Sequence, residues 1–339
     1  MRAATPLLDV RGLTKHFPLK ASPGNKSGVV RAVDDVNFSV MRGETLGIVG
    51  ESGCGKSTTA RLLMHLINPT AGEVIFEGKV VGSRDLPMKE FHRQVQMVFQ
   101  DSYSSLNPRL TVEASIAFGP QVHGVSEKEA VKRARDLLAR VGLEPARFAG
   151  RYPHELSGGQ RQRVNIARAL ALEPRVVILD EAVSALDKSV EAQVLNLLLD
   201  LKQDFNLTYL FISHDLNVVR YISDRVMVMY LGQVVEMAST DAIFASAKHP
   251  YADALLSSMP SMDPDQRTEA PPISGDPPNP INPPSGCRFH TRCTFAESVC
   301  SSRSPQLTSI DETHRVACLM YEANVQHPRS RVNVLKVAA

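Results

Sequence analysis

Residues 50–58 carry the clearest chemical signature in the sequence, because they fit the pattern G-x-x-x-x-G-K-[ST]. The residues are Gly50, Glu51, Ser52, Gly53, Cys54, Gly55, Lys56, Ser57 and Thr58. Glycines let backbone N–H groups curve around a polyphosphate, and the helix that follows turns its positive end toward the same charge. Lys56 supplies a point charge for the β- and γ-phosphates, and the Ser57 hydroxyl is placed for Mg²⁺. The pattern therefore predicts a nucleotide-binding P-loop.

Cys54 lies at a variable position of this loop. Its place beside a helix N-terminus tends to lower a thiol pKa. We nevertheless interpret it as a small filler without a catalytic role.

A pair of acids ends the apolar run Arg175–Glu181. A buried strand that ends in this way places Asp180 where it reaches Mg²⁺ through water, and Glu181 where it polarises the attacking water. Adjacent strand residues face opposite ways, so the two acids are expected to have separate roles. Taken alone, an Asp-Glu pair would be equally consistent with an acid that caps the next helix.

A second glycine-containing turn, LSGGQ, precedes a long helical run. Backbone N–H groups at a helix N-terminus form an anion site, so this turn predicts a second phosphate contact. The residues of this predicted contact are Ser157, Gly158, Gly159 and Gln160. The chain thus has two predicted phosphate-binding helix N-termini but only one P-loop lysine. We therefore expect the second helix N-terminus to complete the nucleotide site of another subunit in a head-to-tail dimer.

The elements that must position these motifs form an α/β pattern. Short continuous apolar runs, separated by helical patterns, are typical of a mostly parallel sheet covered on both faces. The runs are Thr45–Val49, Val95–Phe99, Val176–Leu179, Tyr209–Ile212 and Val226–Tyr230, and helix Lys56–Leu66 follows the first. More alternating runs, which predict an antiparallel sheet beside this core, are Leu7–Leu13 and Val29–Met41.

The stretch of about 101–172 has no convincing strand, and we expect a helical subdomain there. Ser126–Val141 has helical spacing, with Ser126 and Glu129 as a capping box. A last helix is predicted over His249–Met259, so we place the ATPase domain at 1–259.

The composition changes after Met259, where prolines predict an extended linker over 260–286. Four of the five cysteines lie in the extension at 287–339, with the spacing C-x5-C-x6-C-x17-C. Clustered cysteines in a reducing compartment are more often metal ligands than disulfides. The close C-x2–4-C pair usual in zinc sites is missing, and four thiolates also suit a [4Fe–4S] cluster. The spacing alone leaves iron–sulfur, zinc and reduced thiols open.

Composition narrows the class of protein. The chain has 339 residues with 38 Lys+Arg against 36 Asp+Glu, a net charge of +2, which argues against binding through nucleic-acid phosphates. No apolar run approaches the roughly 20 residues of a membrane span, and the N-terminus lacks a signal-peptide stretch. We expect a cytosolic protein that can dock on a membrane protein, with one ATPase unit per chain.

The order of these motifs over residues 7–240 resembles the ATPase subunit of ATP-binding cassette (ABC) transporters. The further elements that carry this resemblance are Gln100 in MVFQD, Ser184–Asp187 (SALD) and His214 in ISHD. The resemblance implies a P-loop ABC ATPase fold: a RecA-like parallel-sheet core, an antiparallel β subdomain and a helical subdomain. It also implies ATP and Mg²⁺ as cofactors and ATP hydrolysis at this chain's own P-loop.

The same resemblance assigns further roles. Gln100 would contact Mg²⁺ and water and sense the membrane partner, His214 would contact the γ-phosphate, and Asp187 would help form the dimer contact. Phe17 is similar to the aromatic that stacks on adenine, where the family more often has Tyr. Ala182 stands where Pro commonly follows the catalytic glutamate. The implied catalytic residues are Glu181, His214 and Gln100, and the implied Mg²⁺ contacts are Ser57, Gln100 and Asp180.

The end of the chain resembles the C-terminal extension of the dipeptide and oligopeptide importer ATPases. The resemblance is carried by HPY at His249–Tyr251, PPSGCRFHTRC and a final VAC. Members of that group hold a [4Fe–4S] cluster on these cysteines. The resemblance therefore implies such a cluster, with zinc as the alternative, on Cys287, Cys293, Cys300 and Cys318. Thr291 stands where the family commonly has Pro.

Together these resemblances imply a peripheral, energy-coupling subunit of a peptide importer at the cytoplasmic face of the cell membrane. The implied partners are a second, homologous ATPase, two transmembrane permeases and an extracellular or periplasmic solute-binding protein, with no nucleic acid. One alternative is the ATPase of another importer or of an exporter; an exporter would lack the cysteine-bearing extension. A cytosolic nucleic-acid ABC ATPase is the other, but it would carry long coiled-coil insertions or a basic surface.

Overall fold

The computed structural model describes residues 5–19, 28–259, 275–276 and 278–332. Most of the predicted linker (260–274 and 277) and the last residues, 333–339, lie outside the described residues. The chain divides into two compact units. The first unit comprises Met1–Leu8, Ser39–Thr45 and Ile75–Asp215, and the second comprises Asp9–Phe38, Leu46–Val74 and Leu216–Ala339.

The strands of the described residues mostly coincide with the apolar runs of the sequence. In chain order they are β1 (Leu8–Leu19), β2 (Gly28–Val40), β3 (Thr45–Val49), β4 (Ala71–Phe76), β5 (Lys79–Val80), β6 (Val95–Val98), β7 (Val176–Asp180), β8 (Thr208–Ile212), β9 (Arg225–Tyr230), β10 (Gln233–Ser239), β11 (Thr308–Ser309) and β12 (Arg315–Val316). All five predicted core strands are present, each within one residue of its predicted ends.

The helices alternate with the central strands, as an α/β fold requires. In chain order they are α1 (Lys56–Leu63), α2 (Met88–Gln94), α3 (Val112–Val122), α4 (Glu127–Arg140), α5 (Pro145–Phe148), α6 (Gly158–Leu170), α7 (Lys188–Asp204), α8 (Leu216–Ile222), α9 (Thr240–Ser246), α10 (Pro250–Ser257) and α11 (Ser298–Ser302). Among the helices of the described ranges, none combines the length and the apolar composition needed to cross a bilayer.

The first unit contains three parallel strands in the order β8-β7-β6. Every residue of β7 and β8 is buried, which explains their continuous apolar sequences. Because the three strands are parallel, the residues that follow them lie at one edge of the sheet. Those residues include Gln100, Glu181 and His214.

Between β6 and β7 the same unit is helical. Helices α3, α4 and α6 pack against one another, and residues 99–175, all of which the structure describes, contain no strand. The Ser126 hydroxyl caps α4 by accepting from the backbone N–H of Glu129 at 3.3 Å. The buried face of α4 has helical spacing: Ala130, Ala134, Leu137 and Leu138.

The second unit contains strands in the order β11-β12-β10-β9-β3. Strand β3 is parallel to β9, whereas β9, β10, β12 and β11 pair successively in the antiparallel sense. The extension therefore adds two short strands beyond β10. The sequence pattern did not predict β10, β11 or β12.

A separate sheet has the strand order β2-β1-β4-β5. Its last two strands are antiparallel, with Ile75 opposite Val80 and Phe76 opposite Lys79. The two alternating runs of the sequence predicted β1 and β2, although β1 continues to Leu19.

A buried carboxylate connects β10, the start of α10 and the extension. Glu236 is fully buried and accepts from the backbone N–H groups of Lys248 and His249, each at 2.7 Å. The imidazole of His314, in the extension, lies 2.6 Å from the same carboxylate. His249 in turn caps α10, because its Nδ1 accepts from the Tyr251 N–H at 3.0 Å. Burial lowers the pKa of His249 to about 3, so its ring is neutral and suited to accept this bond.

Candidate nucleotide and catalytic sites

The P-loop lies in the second unit, between the buried strand β3 and helix α1. Gly50, Gly53 and Gly55 have φ values of 149°, 77° and 110°, a region that side chains rarely adopt. A Cβ at Gly50 would lie 2.2 Å from the Met229 carbonyl oxygen, and one at Gly55 would lie 2.3 Å from the Ala32 carbonyl oxygen. Glycine is therefore required at both ends of the loop by backbone angle and by packing.

Lys56 begins α1, and its side chain turns back into the loop. Its Nζ donates to the carbonyl oxygens of Gly50 at 2.7 Å and Glu51 at 3.1 Å, and the residue is 5% exposed. A buried ammonium among backbone groups is the arrangement that a P-loop lysine needs to reach phosphates.

Cys54 is buried within the P-loop. The residue is 3% exposed, and burial raises the pKa of its thiol despite the nearby Lys56 ammonium. Loss of water around the thiolate therefore outweighs the tendency of a helix N-terminus to lower the pKa. A neutral, buried thiol agrees with the interpretation of Cys54 as a filler.

The remaining P-loop residues and Phe17 occupy more open positions. Ser52 and Gly53 are exposed, and Ser57 and Thr58 are half-buried in the first turn of α1. Phe17 lies on β1 with 37% of its surface exposed, and the Lys15 Nζ lies 5.1 Å from the ring centroid. An exposed ring is suited to stack on a base, and its adenine contact stays a prediction.

The first unit brings three predicted catalytic residues together. The Glu181 carboxylate accepts from Gln100 Nε2 at 2.8 Å and lies 3.3 Å from His214 Nδ1. The Glu181 side chain is 15% exposed, whereas Gln100 and His214 are exposed. A carboxylate held by two polar side chains and partly exposed to solvent can accept a proton from water.

The backbone at Glu181 is strained. It follows the last residue of β7, Asp180, and has a φ of 49°. Non-glycine residues in this region are uncommon and are concentrated at functional sites. At this turn the backbone leaves the extended conformation of β7, so the Glu181 side chain no longer follows the alternation of side chains along the strand. Asp180, the last residue of β7, remains buried with 4% of its surface exposed. Different environments for the two acids agree with the separate roles that the sequence predicts.

The LSGGQ turn forms the N-terminus of α6 in the first unit. The Ser157 hydroxyl accepts from the Gln160 N–H at 3.3 Å, and Gln160 Oε1 accepts from the Ser157 N–H at 3.0 Å. A Cβ at Gly159 would lie 2.5 Å from Val190 Cγ1, so this glycine is required for packing against α7. Ser157 and Asp187, the residue before α7, are both exposed.

Sequence reasoning missed a contact between the extension and the P-loop. The Arg292 guanidinium binds the Glu51 carboxylate through two nitrogens, at 2.9 Å and 3.1 Å. The Tyr251 hydroxyl accepts from the Glu51 N–H at 2.9 Å. The resemblance included Tyr251 in HPY and Arg292 in PPSGCRFHTRC, but it gave neither residue a role.

The four extension cysteines line one small apolar cavity together with His249, Phe289 and His327. Burial raises the pKa of Cys287 to about 11 and of Cys318 to about 12, and it also raises the pKa of Cys293. The Phe295 N–H donates to the Cys293 sulfur at 3.4 Å, and backbone N–H groups of Phe289 and Met320 offset part of the rise in the pKa of Cys287 and Cys318. The residues thus fit a thiolate ligand set in their chemistry.

The predicted metal centre is nevertheless not confirmed. Within the part of the chain that the structure describes, no three His, Cys, Asp or Glu side chains are grouped so that they could hold a metal ion. The thiols share a cavity, but their positions do not form a ligand shell around one ion.

Two features define a P-loop ATPase of α/β fold. One is the glycine-containing loop after a buried parallel strand, and the other is the strained Glu181 in contact with Gln100 and His214. The ABC transporter family model matches residues 33–184, and the model of the oligopeptide/dipeptide transporter C-terminal region matches residues 235–300. A probable peptide ABC transporter ATP-binding protein, y4tS of Sinorhizobium fredii, is 52% identical over 92% of this chain and 89% of its own length. The oligopeptide transport ATP-binding protein AppF of Bacillus subtilis is 49% identical over 93% of this chain and 97% of its own length.

Two solved structures share the fold. CbiO1 of Clostridium perfringens, part of the ABC transporter complex cbiONQ, is 30% identical with a TM-score of 0.60 over 71% of this chain and 91% of its own. The dimeric, post-hydrolysis state of the ATP-binding cassette MJ0796, bound to ADP and Pi, is also 30% identical with a TM-score of 0.60, over 69% of this chain and 98% of its own. The chain belongs to the ATP-binding proteins of the ABC transporter family, in the group with the oligopeptide/dipeptide transporter C-terminal region. It is an ATP hydrolase.

The contrast between the tightly packed Gly55 and the open Gly53 generates a prediction. Gly55→Ala should lower the free energy of unfolding by at least about 2 kcal/mol more than Gly53→Ala, and it should abolish measurable ATP binding. Both variants carry a positive φ, but a Cβ at Gly53 meets nothing within 4 Å, so Gly53→Ala isolates the cost of the backbone angle. Urea titration and calorimetric ATP binding measure the two effects. Equal losses in the two variants would contradict the packing argument.

Proposed function

We propose that this chain is the energy-coupling ATPase subunit of a membrane importer for di- and oligopeptides. The observation that carries the proposal is the presence, in one chain, of the ABC motifs and of the oligopeptide/dipeptide transporter C-terminal region. The names of the similar proteins y4tS and AppF support peptide and oligopeptide transport respectively. An exporter ATPase would account for the first feature but not for the second.

The hydrolysis step is assigned to residues of the P-loop and of the catalytic cluster around Glu181. The P-loop N–H groups and Lys56 bind the phosphates of ATP. Glu181 accepts a proton as the water oxygen bonds to the γ-phosphorus and the β–γ bridging oxygen leaves with ADP. Gln100 orients this carboxylate through its 2.8 Å hydrogen bond, and His214 reaches the γ-phosphate. The residues that would hold Mg²⁺, which neutralises phosphate charge when bound, are Ser57, Asp180 and Gln100.

The active form is assigned as a head-to-tail dimer with a second, homologous ATPase. Exposed Ser157 and the first-turn amides of α6 form an anion site without a lysine of its own. In the dimer, Ser157–Gln160 contact the γ-phosphate bound to the partner chain, and Asp187 contributes to the contact. ATP thereby links the two chains, and hydrolysis releases them, a population shift driven by nucleotide.

The dimer would act on two transmembrane permeases at the cytoplasmic face of the membrane, with a solute-binding protein on the other side. The helical part of the first unit exposes large apolar side chains: Tyr103, Phe118 and Val122 are each more than half exposed. Exposed apolar side chains of this size are suited to a protein interface. Gln100, which contacts Glu181, lies three residues before Tyr103 and could transmit the state of the site to that surface.

The extension is assigned a [4Fe–4S] cluster on Cys287, Cys293, Cys300 and Cys318, with zinc as the alternative. The support is the set of four thiols in one cavity and the Phe295 N–H that donates to the Cys293 sulfur. When bound, such a cluster supplies four covalent links that clamp the extension, and it can carry one electron. The thiols must lose their protons on binding, because ligands are thiolates.

The proposed base generates one prediction. Glu181→Gln should lower the ATPase rate at least about a hundredfold, because the amide cannot accept the proton, while ATP binding is retained and the dimer accumulates. Phosphate release and size-exclusion chromatography with ATP measure the two outcomes. Glu144→Gln, an exposed position at the start of α5, is the matched control. If the Glu181→Gln variant hydrolysed ATP at the parent rate, the assignment of Glu181 as the base would be contradicted.

The metal assignment generates a second prediction. Protein purified without oxygen should be brown, absorb near 400 nm and contain about four irons per chain. Replacing Cys287 with Ser should remove both the colour and the iron, whereas Cys54→Ser, outside the extension, should leave them unchanged. A colourless, iron-free preparation that contains zinc would contradict the iron–sulfur assignment.

The transporter assignment generates a third prediction. The full chain, purified in mild detergent from the cells that make it, should carry along multi-spanning membrane proteins, identified by mass spectrometry. Phe118→Glu should reduce their recovery, because it places a charge in the proposed interface, while ATP binding stays unchanged. Recovery of nucleic acid in place of membrane proteins would favour the cytosolic class of ABC ATPase.

A further inference from the structure

The P-loop of this chain contains an acid where it must bind a polyanion. Glu51 follows Gly50, and its carbonyl oxygen already accepts from Lys56 Nζ at 3.1 Å. A negatively charged side chain within a phosphate-binding loop lowers the attraction for ATP unless its charge is balanced. The charge of Glu51 therefore requires a partner.

Arg292 is that partner, and its guanidinium pairs with the Glu51 carboxylate in a defined geometry. Its two terminal nitrogens bind the two Glu51 oxygens in the bidentate arrangement, which is stronger and more directional than a single contact. The Arg292 side chain is 6% exposed and the Glu51 side chain 23% exposed, so water screens the pair only in part. Nη1 of Arg292 also lies 3.4 Å from the Tyr230 hydroxyl, which helps to hold the guanidinium plane.

The same loop residue is held at its backbone. The Glu51 N–H donates to the Tyr251 hydroxyl, and its carbonyl accepts from Lys56. Glu51 is thus fixed through its amide, its carbonyl and its carboxylate. Two of the three contacts come from the C-terminal part of the chain.

The extension itself fixes the position of Arg292. The residue ends a 3-10 turn, His290–Arg292, between Cys287 and Cys293. Just before this turn, the buried Arg288 forms an ion pair with Asp34 and donates to the Leu231 carbonyl. The guanidinium of Arg292 is therefore presented by a segment that is anchored on both the cysteine cavity and the second unit's strands.

We propose that Arg292 is a positioning residue for ATP binding. It neutralises Glu51 and holds the P-loop in its binding shape, so that the cysteine-bearing extension sets the nucleotide affinity of the chain. The inference rests on the proposed binding of ATP phosphates by this P-loop.

The test is a charge cycle on the full-length chain, with Mg-ATP and Mg-ADP binding measured by calorimetry. Arg292→Ala should weaken ATP binding about tenfold, and ADP binding less, because ADP carries one negative charge fewer. Replacing Glu51 with Gln in the Arg292→Ala background should recover most of the lost affinity. A role of Arg292 in folding alone would not be relieved by removing a charge from the loop.

Two controls separate the causes. Arg303→Ala breaks an ion pair with Glu322 inside the extension and should leave the ATP affinity unchanged. Arg292→Lys keeps the positive charge and should retain part of the ATP affinity that Arg292→Ala loses. Parent-like ATP affinity in Arg292→Ala, or no recovery in the double variant, would overturn the inference. Lys56→Ala should abolish ATP binding in either case. If it did not, the phosphate assignment would fail, and the inference would fall with it.

Discussion

A loop that wraps a polyphosphate must keep its N–H groups pointed inward before the phosphate arrives. In this chain the constraint is met by holding Glu51 at its amide, its carbonyl and its carboxylate, and by glycines that fit against two backbone carbonyls. The ion pair with Arg292 adds the charge balance that the loop needs. Pre-organisation of this kind reduces the ordering cost of binding.

The catalytic cluster of the first unit depends on a different constraint, the parallel pairing of β6, β7 and β8. Their carboxyl ends lie at one edge, so residues far apart in sequence become neighbours there. The strained φ of Glu181 then turns its carboxylate toward Gln100 and His214. Strain persists only where the surroundings fix it, and here fully buried strands do so.

Much of the fold and of the nucleotide site could be predicted from the sequence, because these features depend on the pattern of neighbouring residues. Continuous apolar runs predicted the core strands, and glycine spacing predicted the P-loop. The short strands β11 and β12 could not be predicted, since two residues carry no periodic signal. The contact of Glu51 with Arg292 joins positions 241 residues apart and has no local signature. The net pKa shift of Cys54 could not be predicted, because a helix N-terminus is visible in the sequence and burial is not.

The most direct test of the account is hydrogen–deuterium exchange of the P-loop amides in the nucleotide-free chain. If the extension holds the loop, the Glu51 amide and its neighbours through Cys54 should exchange distinctly faster in Arg292→Ala than in the parent, while amides of β7 and β8 keep their rates. Faster exchange throughout the chain would indicate general destabilisation. Unchanged exchange at Glu51 would contradict the claim that the extension shapes the phosphate-binding loop.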